Sequence, residues 1–490
     1  MYDENKKNNF VFLSQCAALR CAALRCAALR CCATSQSVEI ATATHLRLNA
    51  SQEMPFAVAL LLLLLLLPAA HAQAGLCKWC PRVVPTWTPT WALANSTIAM
   101  PCNSSGLIRP SVLAPFSISS IDWSNAKDLW AAGTPMDAET PLVDQAVALH
   151  AANPQNRVWI YRNLVIAYPW FPSVREKLVD SNFAGWFIKF APTGPNNGSY
   201  YVPRCDNNFS PPLCTDFYHS QDQTPGYPRG DGNCPGPCDC GGVPCGFYLF
   251  NHANTTEVQG QTLRSWLLDT FVFGPTGLGH PSKAITGLYL DDHWADAYVS
   301  TDAPNCASSP IGGPTEVNVH CIADAGLTAA DTAANTANWR SLMLELQQRL
   351  VAGGFFSWAF FDTFSGAPSK GAICPNFFRT QGSDFFYNRT LAMSFSSRNR
   401  TTESEERDIA TFLLVRGPYA YLGEGWSGCV GEPTPLPPAV FLDYGVPLTN
   451  LTEPTPGVFT RQWSKALVTF DCNSYNASIT FGAAEGISQE

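Results

Sequence analysis

Residues 287–294 read GLYLDDHW, an apolar run that ends in two carboxylates followed by His293 and Trp294. An apolar strand that ends in charged side chains is typical of a parallel barrel, whose active site lies at the carboxyl ends of its strands. Side chains alternate along a strand. At most one of Asp291 and Asp292 can therefore face the barrel axis while the strand is regular. The other would turn into the loop, brace His293 or Arg162, or cap the next helix.

Short apolar runs alternate with helical patterns on both sides of this stretch. Eight such units predict an α/β fold of the (β/α)8 TIM-barrel type, and an open doubly wound sheet is the alternative. The predicted strands are residues 116–122, 157–162, 185–190, 246–251, 285–290, 355–361, 391–395 and 418–422. The predicted helices are residues 140–152, 173–179 (with Ser173 as N-cap and Glu176 completing a capping box), 256–273, 325–351 and 403–415.

The sequence also predicts how the chain is divided. Met54 opens an apolar run that ends at Ala70-His71-Ala72, the layout of a secretory signal peptide, and a retained signal anchor is the alternative. The expected segments are 1–53, an upstream extension containing three Cys-Ala-Ala-Leu-Arg repeats; 54–72, the signal peptide; 73–115, an irregular Cys- and Pro-rich lead-in; 116–428, the barrel, with a Cys-rich insertion at 191–245; and 429–490, a β-rich appendage. The strands expected in the appendage are 439–442, 457–460, 466–470 and 477–481.

The signal peptide predicts an extracellular protein that no longer contacts a membrane after cleavage. Fourteen of the 19 cysteines follow Met54, and in an exported chain they are expected to form disulfides. The insertion spacing Cys-x3-Cys-x-Cys-x4-Cys matches no standard zinc site, so a disulfide-bonded loop is favoured over a metal site and no cofactor is expected. The nine glycosylation sequons that follow the signal peptide are expected on exposed loops, at Asn95, Asn103, Asn197, Asn208, Asn254, Asn388, Asn399, Asn450 and Asn476.

A net charge of −9 without a basic run argues against nucleic acid and anionic membranes as partners. Oligomeric state stays undetermined. No GxSxG elbow, HExxH motif or phosphate-binding loop occurs in the chain.

The residues at the predicted strand ends form the candidate site. Glycoside hydrolysis needs two carboxyl groups, one of them with a raised pKa, and Trp faces can stack on sugar rings. The catalytic candidates are Asp291, Asp292, Asp362 and Glu424. The substrate-binding candidates are Asp122, Trp123, Arg162, Asn251, His252, His293, Trp294 and Trp426. For Arg162 a structural ion pair, and for His252 a structural role, are the alternatives.

Several segments carry a family resemblance that extends over residues 117–481. They are YRNLVIAYPWF (161–171), GFYLFNH (246–252), GLYLDDHW (287–294), RGPYAYLGEGWSGC (416–429) and VFTRQWSKALVTFDCN (458–473). These segments resemble uncharacterised glycoside-hydrolase-like (β/α)8 proteins of microbial eukaryotes. The resemblance implies a barrel and a carbohydrate substrate, and it supplies no catalytic pair.

The sequence therefore predicts a secreted glycosidase that cleaves an extracellular or cell-wall glycan with paired carboxylates. Two alternatives remain. One is a glycan-binding or cell-wall protein without catalysis on the same scaffold, and the other is a polysaccharide lyase or transferase. Hydrolysed products, binding without products, and unsaturated or transferred products distinguish the three.

Overall fold

The structure is a computed structural model that describes residues 80–131, 133, 135–190, 204–206, 213–217, 219–220, 240–292, 326–384 and 389–482. The strands are β1 Thr97–Ala99, β2 Ile118–Ile121, β3 Arg157–Asn163, β4 Ile166–Ala167, β5 Arg204–Asp206, β6 Leu213–Thr215, β7 His219–Ser220, β8 Phe247–Leu249, β9 Ile285–Asp291, β10 Phe356–Ser357, β11 Thr363–Gly366, β12 Thr390–Ser394, β13 Tyr419–Glu424, β14 Thr452–Thr455, β15 Val458–Gln462, β16 Ala466–Asp471 and β17 Asn476–Phe481. The α-helices are α1 Pro110–Leu113, α2 Lys127–Trp130, α3 Glu139–Ala152, α4 Pro172–Val179, α5 Leu263–Ser265, α6 Ala329–Ala352, α7 Ile373–Asp384 and α8 Thr402–Val415.

Eight strand segments form one parallel sheet with the order β10-β9-β3-β2-β1-β13-β12-β11. Strands of this sheet that follow each other in the chain are paired, except β10 and β11, and the last strand, β13, pairs with the first, β1. The two ends of the sheet, β10 and β11, belong to one stretch that is interrupted by the 3-10 turn Trp358–Phe360. The sheet therefore curls back on itself as an α/β barrel of the TIM type.

Two predicted barrel strands are wrong. Residues 185–190 and 246–251 lie outside the parallel sheet and contact each other through an antiparallel bridge between Phe187 and Phe250. Strand β8 pairs antiparallel with β4 and β7 in a small side sheet. An apolar run does not reveal the direction of its neighbour, so the pattern alone could not separate the two kinds of sheet.

Two short strands that the sequence did not predict, β1 and β11, complete the eight strands of the parallel sheet. Strand β1 lies within the stretch that was expected to be irregular and has only three residues, ahead of Pro101. Strand β11 follows the interrupted sixth run. Both are shorter than the usual strand of five or six residues, which removes the periodic signal that predicts a strand.

The predicted helices occur with shifted ends. The long helix 256–273 is shorter than predicted, since α5 continues only as the π-helical segment Trp266–Val272. The expected cap at Ser173 is wrong. Helix α4 begins one residue earlier, with Pro172 at its first position and Phe171 as N-cap. Proline fits a first helical position because its missing N–H needs no partner there.

Alternation along the strands fills the barrel interior. Trp159 and Tyr161 project inward from β3 and are fully buried. Gly287 on β9 makes room for the indole, because a Cβ there would lie 2.4 Å from Trp159 Nε1. Close packing of this kind fixes the side-chain layer beneath the carboxyl ends of the strands.

The appendage is a four-stranded antiparallel sheet in the order β14-β15-β16-β17, so three of its four predicted strands are confirmed. The fourth, 439–442, is instead the 3-10 helix Pro438–Phe441. The sheet packs on α8 in a second apolar core. Buried Arg461 donates to the carbonyl oxygens of Leu413 and Arg416, which anchors the sheet to the end of that helix.

Disulfides are present, as expected. The described residues contain the pairs Cys102–Cys429, Cys240–Cys245 and Cys374–Cys472. Cys80 is also disulfide-bonded. The side chains of the insertion's other four cysteines, the predicted signal peptide and the 1–53 extension lie outside the described residues. None of the described helices is long and apolar enough to cross a membrane.

Six sequon asparagines lie among the described residues, and none of them is buried. Asn95, Asn399, Asn450 and Asn476 are exposed, whereas Asn103 and Asn254 are half-buried. Asn197, Asn208 and Asn388 lie outside the described residues. The exposed asparagines have the surface position that glycan attachment requires.

Candidate active site

Three carboxylates lie together at the carboxyl-terminal end of the barrel. Asp122 directly follows β2, Asp291 is the last residue of β9, and Asp292 comes next. Strand β3 separates β2 from β9 in the sheet and contributes the polar side chains between them. The carboxyl ends of parallel strands share one edge, which explains why residues distant in sequence meet here.

Asp291 faces the barrel interior. It lies two residues beyond Tyr289, whose ring contacts that of Tyr161 at 5.1 Å between centroids. Tyr161 donates its hydroxyl hydrogen to Asp291 Oδ2 at 2.9 Å, and the backbone N–H of Asp292 donates to Asp291 Oδ1 at 3.0 Å. Burial raises the pKa of Asp291, and these two hydrogen bonds oppose the rise because they stabilise the charged form.

A backbone turn at Asp292 brings its side chain to the same site. Its φ of +55° lies in the left-handed region, which non-glycine residues rarely adopt and Asp tolerates better than most. The turn directs its side chain to Asn163, whose Nδ2 donates to Asp292 Oδ2. Asn163 is the register partner of Asp291, so both carboxylates contact one patch of β3. Strained backbone of this type is often found at functional sites.

Asp122 forms the opposite side of the site. Only 3% of its surface is exposed, and its Oδ1 accepts a hydrogen bond of 2.7 Å from the N–H of Ser124. Burial raises the pKa of Asp122 to about 6, and the nearby charge of Asp291 adds to the rise. Buried Lys127 acts in the opposite direction. A carboxyl group with such a pKa can hold and release a proton in mildly acidic water.

Tyrosines and tryptophans complete the wall. The hydroxyl oxygens of Tyr161 and Tyr168 are 3.1 Å apart, and burial raises the pKa of Tyr161 well above its usual value. The phenol of Tyr161 therefore remains a neutral hydrogen-bonding group. Trp123 packs against Tyr168 at 5.4 Å and Trp170 at 5.0 Å between ring centroids, and it is half-buried. The carboxylates thus lie beside an aromatic surface.

The structure separates Asp362 from this cluster, so its prediction as a strand-end residue is wrong. Asp362 precedes β11 and does not end a strand. Its backbone N–H donates to the carbonyl oxygen of Thr390, the first residue of β12, and its Oδ2 accepts from the N–H of Thr390. These bonds lie at the amino-terminal end of the barrel, where Arg82 forms an ion pair with Asp362 at 3.6 Å.

Glu424 lies at the expected strand end but points away from the interior. It shares the outward face of β13 with Leu422, which belongs to the core beneath α8. Its carboxylate contacts Arg400 at 3.4 Å and accepts from the N–H of Thr434 at 2.9 Å. Arg400 also pairs with Glu405 on α8. The prediction that Glu424 joins the Asp291 cluster is therefore wrong.

Arg162 has the structural role that was the alternative to substrate binding. It is fully buried on the outward face of β3 and pairs with Glu139 on α3 at 3.3 Å. Its remaining donors reach the carbonyl oxygens of Tyr161, Phe271 and Thr276. No part of this side chain is accessible to a substrate.

The predicted ligands after the fourth strand also make structural contacts. Asn251 donates to the carbonyl oxygen of Gly185 at 3.2 Å. His252 is buried, and its Nε2 lies 2.7 Å from the carbonyl oxygen of Leu164. Burial lowers the pKa of His252 to about 4, so the ring is neutral at physiological pH. Neither side chain has a described contact with the carboxylate cluster.

The other aromatic candidates differ in what the structure describes. Trp426 lies just beyond β13, at the same end of the barrel as the cluster, and 53% of its surface is exposed. His293 and Trp294 lie outside the described residues. Within the described part of the chain, no group of three His, Cys, Asp or Glu side chains is arranged to hold a metal ion.

Four contributors to the site were missed from the sequence: Tyr161, Asn163, Tyr168 and Tyr289. Three of them follow from alternation, because Tyr289 precedes Asp291 by two residues and Tyr161 precedes Asn163 by two. The strand ends alone did not show them. Tyr168 lies beyond β4 in an irregular stretch, and no periodic signal marks it.

Comparison with known proteins adds little to this geometry. No family model and no curated protein matches the chain. Sucrose 6F-phosphate phosphorylase from Thermoanaerobacter thermosaccharolyticum is 8% identical, with 81% of this chain and 97% of that chain covered and a TM-score of 0.37. Cyclic α-maltosyl-(1→6)-maltose hydrolase from Arthrobacter globiformis is 9% identical, with 81% and 98% covered and a TM-score of 0.34. Likeness at these scores carries no statement about activity.

Proposed function

We propose that the protein hydrolyses glycosidic bonds at the carboxyl end of its barrel, with Asp122 as general acid and Asp291 as the carboxylate opposite it. The observation that carries the proposal is that buried Asp122 and half-buried Asp291, both with raised pKa values, lie together beside an aromatic wall. Glycoside hydrolysis requires this pair of roles, one carboxyl protonated and one ionised.

The surroundings of the two groups support the assignment of roles. Asp122 is nearly enclosed, and its pKa of about 6 keeps a large protonated fraction in mildly acidic water. Asp291 accepts hydrogen bonds from Tyr161 and from the N–H of Asp292, and both favour its charged form. Two neighbouring carboxyl groups whose environments give them different pKa values are characteristic of a catalytic acid and base.

The reaction then runs with balanced protons. Asp122 transfers its proton to the leaving glycosidic oxygen as the bond to the anomeric carbon breaks. Asp291 either attacks that carbon or removes a proton from a water that attacks it. In the first case a glycosyl ester forms, and a water then hydrolyses it while Asp122 takes back a proton. The hydrogen bond from Tyr161 holds Asp291 in place. Asp292, held by Asn163, is positioned to bind a substrate hydroxyl. Trp123 and exposed Trp426 offer apolar faces for the sugar rings.

Activity is tested on a panel of nitrophenyl glycosides and polysaccharides, with products identified by chromatography and mass. Asp122→Asn and Asp291→Asn are each expected to lower kcat/KM by about 100-fold or more, the usual contribution of an acid–base group. Asp144→Asn on the exposed face of α3 is the matched control and retains activity. NMR of the first-formed anomer assigns the role of Asp291, as nucleophile if retained and as base if inverted.

Other outcomes would reject the proposal. Glycan binding on an array without any product would support a binding protein on the same scaffold. An unsaturated sugar product would indicate a lyase, and transfer without added water a transferase. Unchanged hydrolysis in both Asp122→Asn and Asp291→Asn would place the chemistry elsewhere.

We also propose that this reaction takes place outside the cell. The disulfides support the idea, because such bonds persist in oxidising compartments. Expression of the full chain in a eukaryotic host is expected to release the protein into the medium with Gln73 as its first residue. Recovery only in the cytosol or in the membrane fraction would contradict it.

A further inference from the structure

A cavity of about 290 Å³ lies at the amino-terminal end of the barrel, opposite the carboxylate cluster. Its wall includes Trp87, Thr90, Asn95, Ser117, Arg157 and Tyr421. Ser117 directly precedes β2 and Arg157 begins β3, which fixes the cavity at the amino ends of these strands.

Trp87 is held as a fixed platform in this cavity. Its Nε1 donates to the hydroxyl oxygen of buried Tyr421 at 2.8 Å, and its ring meets Phe356 edge-on with centroids 6.0 Å apart. The guanidinium of Arg157 lies over the indole at 4.4 Å from the ring centroid. Such a contact holds the guanidinium plane and leaves the N–H donors along its edge available.

Arg157 differs from the other internal arginines. Arg162 pairs with Glu139, and Arg416 donates to the carbonyl oxygens of Thr90 and Trp91 and to Ser96 Oγ. Within the described residues, the guanidinium of half-buried Arg157 contacts neither a carboxylate nor a hydrogen-bond acceptor. A guanidinium that is partly removed from water and lacks an acceptor favours an anion that can supply one.

From these observations we infer that the cavity binds a small hydroxylated carboxylate, of the size of one acidic sugar, through the guanidinium of Arg157. A planar carboxylate matches the two parallel donors of a single guanidinium, whereas phosphate and sulfate sites usually gather several cationic or backbone donors. The remaining wall includes Thr88, Asn95 and Gln155, which are polar side chains suited to hydroxyl groups. The site is separate from the proposed hydrolytic centre and does not depend on it.

Calorimetric titration of the whole protein with sodium glucuronate tests the inference. Glucose is the neutral control of the same ring size, and sodium sulfate is the second anion. Glucuronate is expected to bind at least about tenfold more tightly than glucose, since one charge-assisted pair exceeds the 1.4 kcal/mol that a tenfold change requires. It is expected to bind more tightly than sulfate as well, because sulfate is not planar and offers no ring hydroxyls to the polar wall. The same titration of Asp122→Asn is expected to be unchanged, which excludes binding at the mouth of the barrel.

Variants localise the site. Arg157→Gln and Arg157→Lys are both expected to lose most of the preference for glucuronate, because lysine keeps the charge but not the planar donor pair. Exposed Arg82→Gln at the same end of the barrel is the matched control. Thermal unfolding checks that each variant is folded, and Trp87→Phe, which weakens the platform, replaces Arg157→Gln if that variant fails. Asn95→Gln removes the sequon at the cavity wall and is expected to keep the preference for glucuronate, because Arg157 carries that preference.

Three results would overturn the inference. Equal affinity for glucuronate and glucose would remove the role of the carboxylate. Equal affinity for glucuronate and sulfate would indicate an adventitious anion only. Unchanged glucuronate binding in both Arg157 variants would place the binding elsewhere on the protein.

Discussion

The hydroxyl of Tyr161 donates to Oδ2 of Asp291 across the gap between two neighbouring barrel strands, with 2.9 Å between the oxygens. Tyr161 also receives a hydrogen bond from Asn163 Nδ2 at 3.2 Å, and Asn163 in turn donates to Asp292. One chain of hydrogen bonds therefore fixes both carboxylates of the Asp291-Asp292 pair. Removal of the Tyr161 hydroxyl is therefore expected to affect Asp291, the proposed reacting group.

Tyr161→Phe is expected to raise the pKa of Asp291, because the lost hydrogen bond favours the carboxylate. The acidic limb of the profile of kcat/KM against pH should move to higher pH, and kcat should fall about tenfold or more. Hydrolysis rates between pH 3 and pH 8 measure both effects. Tyr419→Phe, at the amino end of β13, is the control with an unshifted profile. An unmoved acidic limb in Tyr161→Phe would separate Asp291 from the chemistry.

Asp122→Asn is expected to stabilise the fold at neutral pH although it removes the proposed acid. The pKa of Asp122 is raised in the folded protein, from 3.8 to about 6, so the native state binds more protons than the unfolded state between these values. The free energy of unfolding of the wild type therefore falls as pH rises from about 4 to 6. The difference between these two pKa values corresponds to at most about 3 kcal/mol.

Denaturant unfolding of both proteins at pH 4 and pH 7 measures the difference. The stability gain of Asp122→Asn over the wild type should be larger at pH 7 than at pH 4. A gain that is equal at the two values would mean that Asp122 does not carry the raised pKa. Stability gained by removal of a catalytic group is expected where the group was selected for chemistry.

Alternation and the count of strand–helix units were enough to predict the fold class, and β3 and β9 were found almost to the residue. What failed was the identity of two barrel strands. Thr97–Ala99 is too short to carry a pattern, and residues 246–251 are as apolar as any parallel strand although they lie in the side sheet. Strand partners depend on tertiary contacts that a local pattern does not contain.

The same limit explains why only part of the candidate site was predicted from the sequence. Asp122, Asp291 and Asp292 lie at the ends of β2 and β9, and the pattern predicted both strand ends to within one residue. The prediction for Asp362 failed because the 3-10 turn Trp358–Phe360 interrupts the predicted strand. Asp362 therefore lies just before the next strand, β11, and not at the end of the predicted one. The prediction for Glu424 failed because side chains alternate along β13. The side chain of Glu424 lies on the face that points to the helices, where it contacts Arg400. A strand end needs its inward or outward direction before it predicts a site.

His252→Gln is expected to change stability in acid but not activity. The pKa of His252 is lowered from 6.5 to about 4, so the folded protein binds fewer protons than the unfolded chain between these values. Wild-type stability that is present above pH 6.5 is therefore lost as pH falls toward 4, by at most about 3 kcal/mol. Glutamine can keep a donor to the carbonyl oxygen of Leu164 and does not titrate.

Unfolding free energies at pH 7, 5.5 and 4 measure this effect, and the wild type should decline more steeply than the variant. Hydrolysis at pH 6.5 should be equal in the two proteins, because His252 has no described contact with the carboxylate cluster. A drop in kcat with unchanged stability would instead support the substrate-binding role that the sequence suggested for His252.

Arg162→Leu is expected to destabilise the protein by about 3–5 kcal/mol, because it leaves Glu139 as a buried carboxylate without its cation. It also removes donors from the carbonyl oxygens of Phe271 and Thr276, which tie β3 to the segment between α5 and β9. The double variant Arg162→Leu with Glu139→Leu should recover part of the loss, since no unpaired charge remains. Denaturant unfolding of the single and double variants measures the coupling, and KM of the folded fraction should stay unchanged. A raised KM with unchanged stability would instead support the substrate-binding role that the sequence suggested.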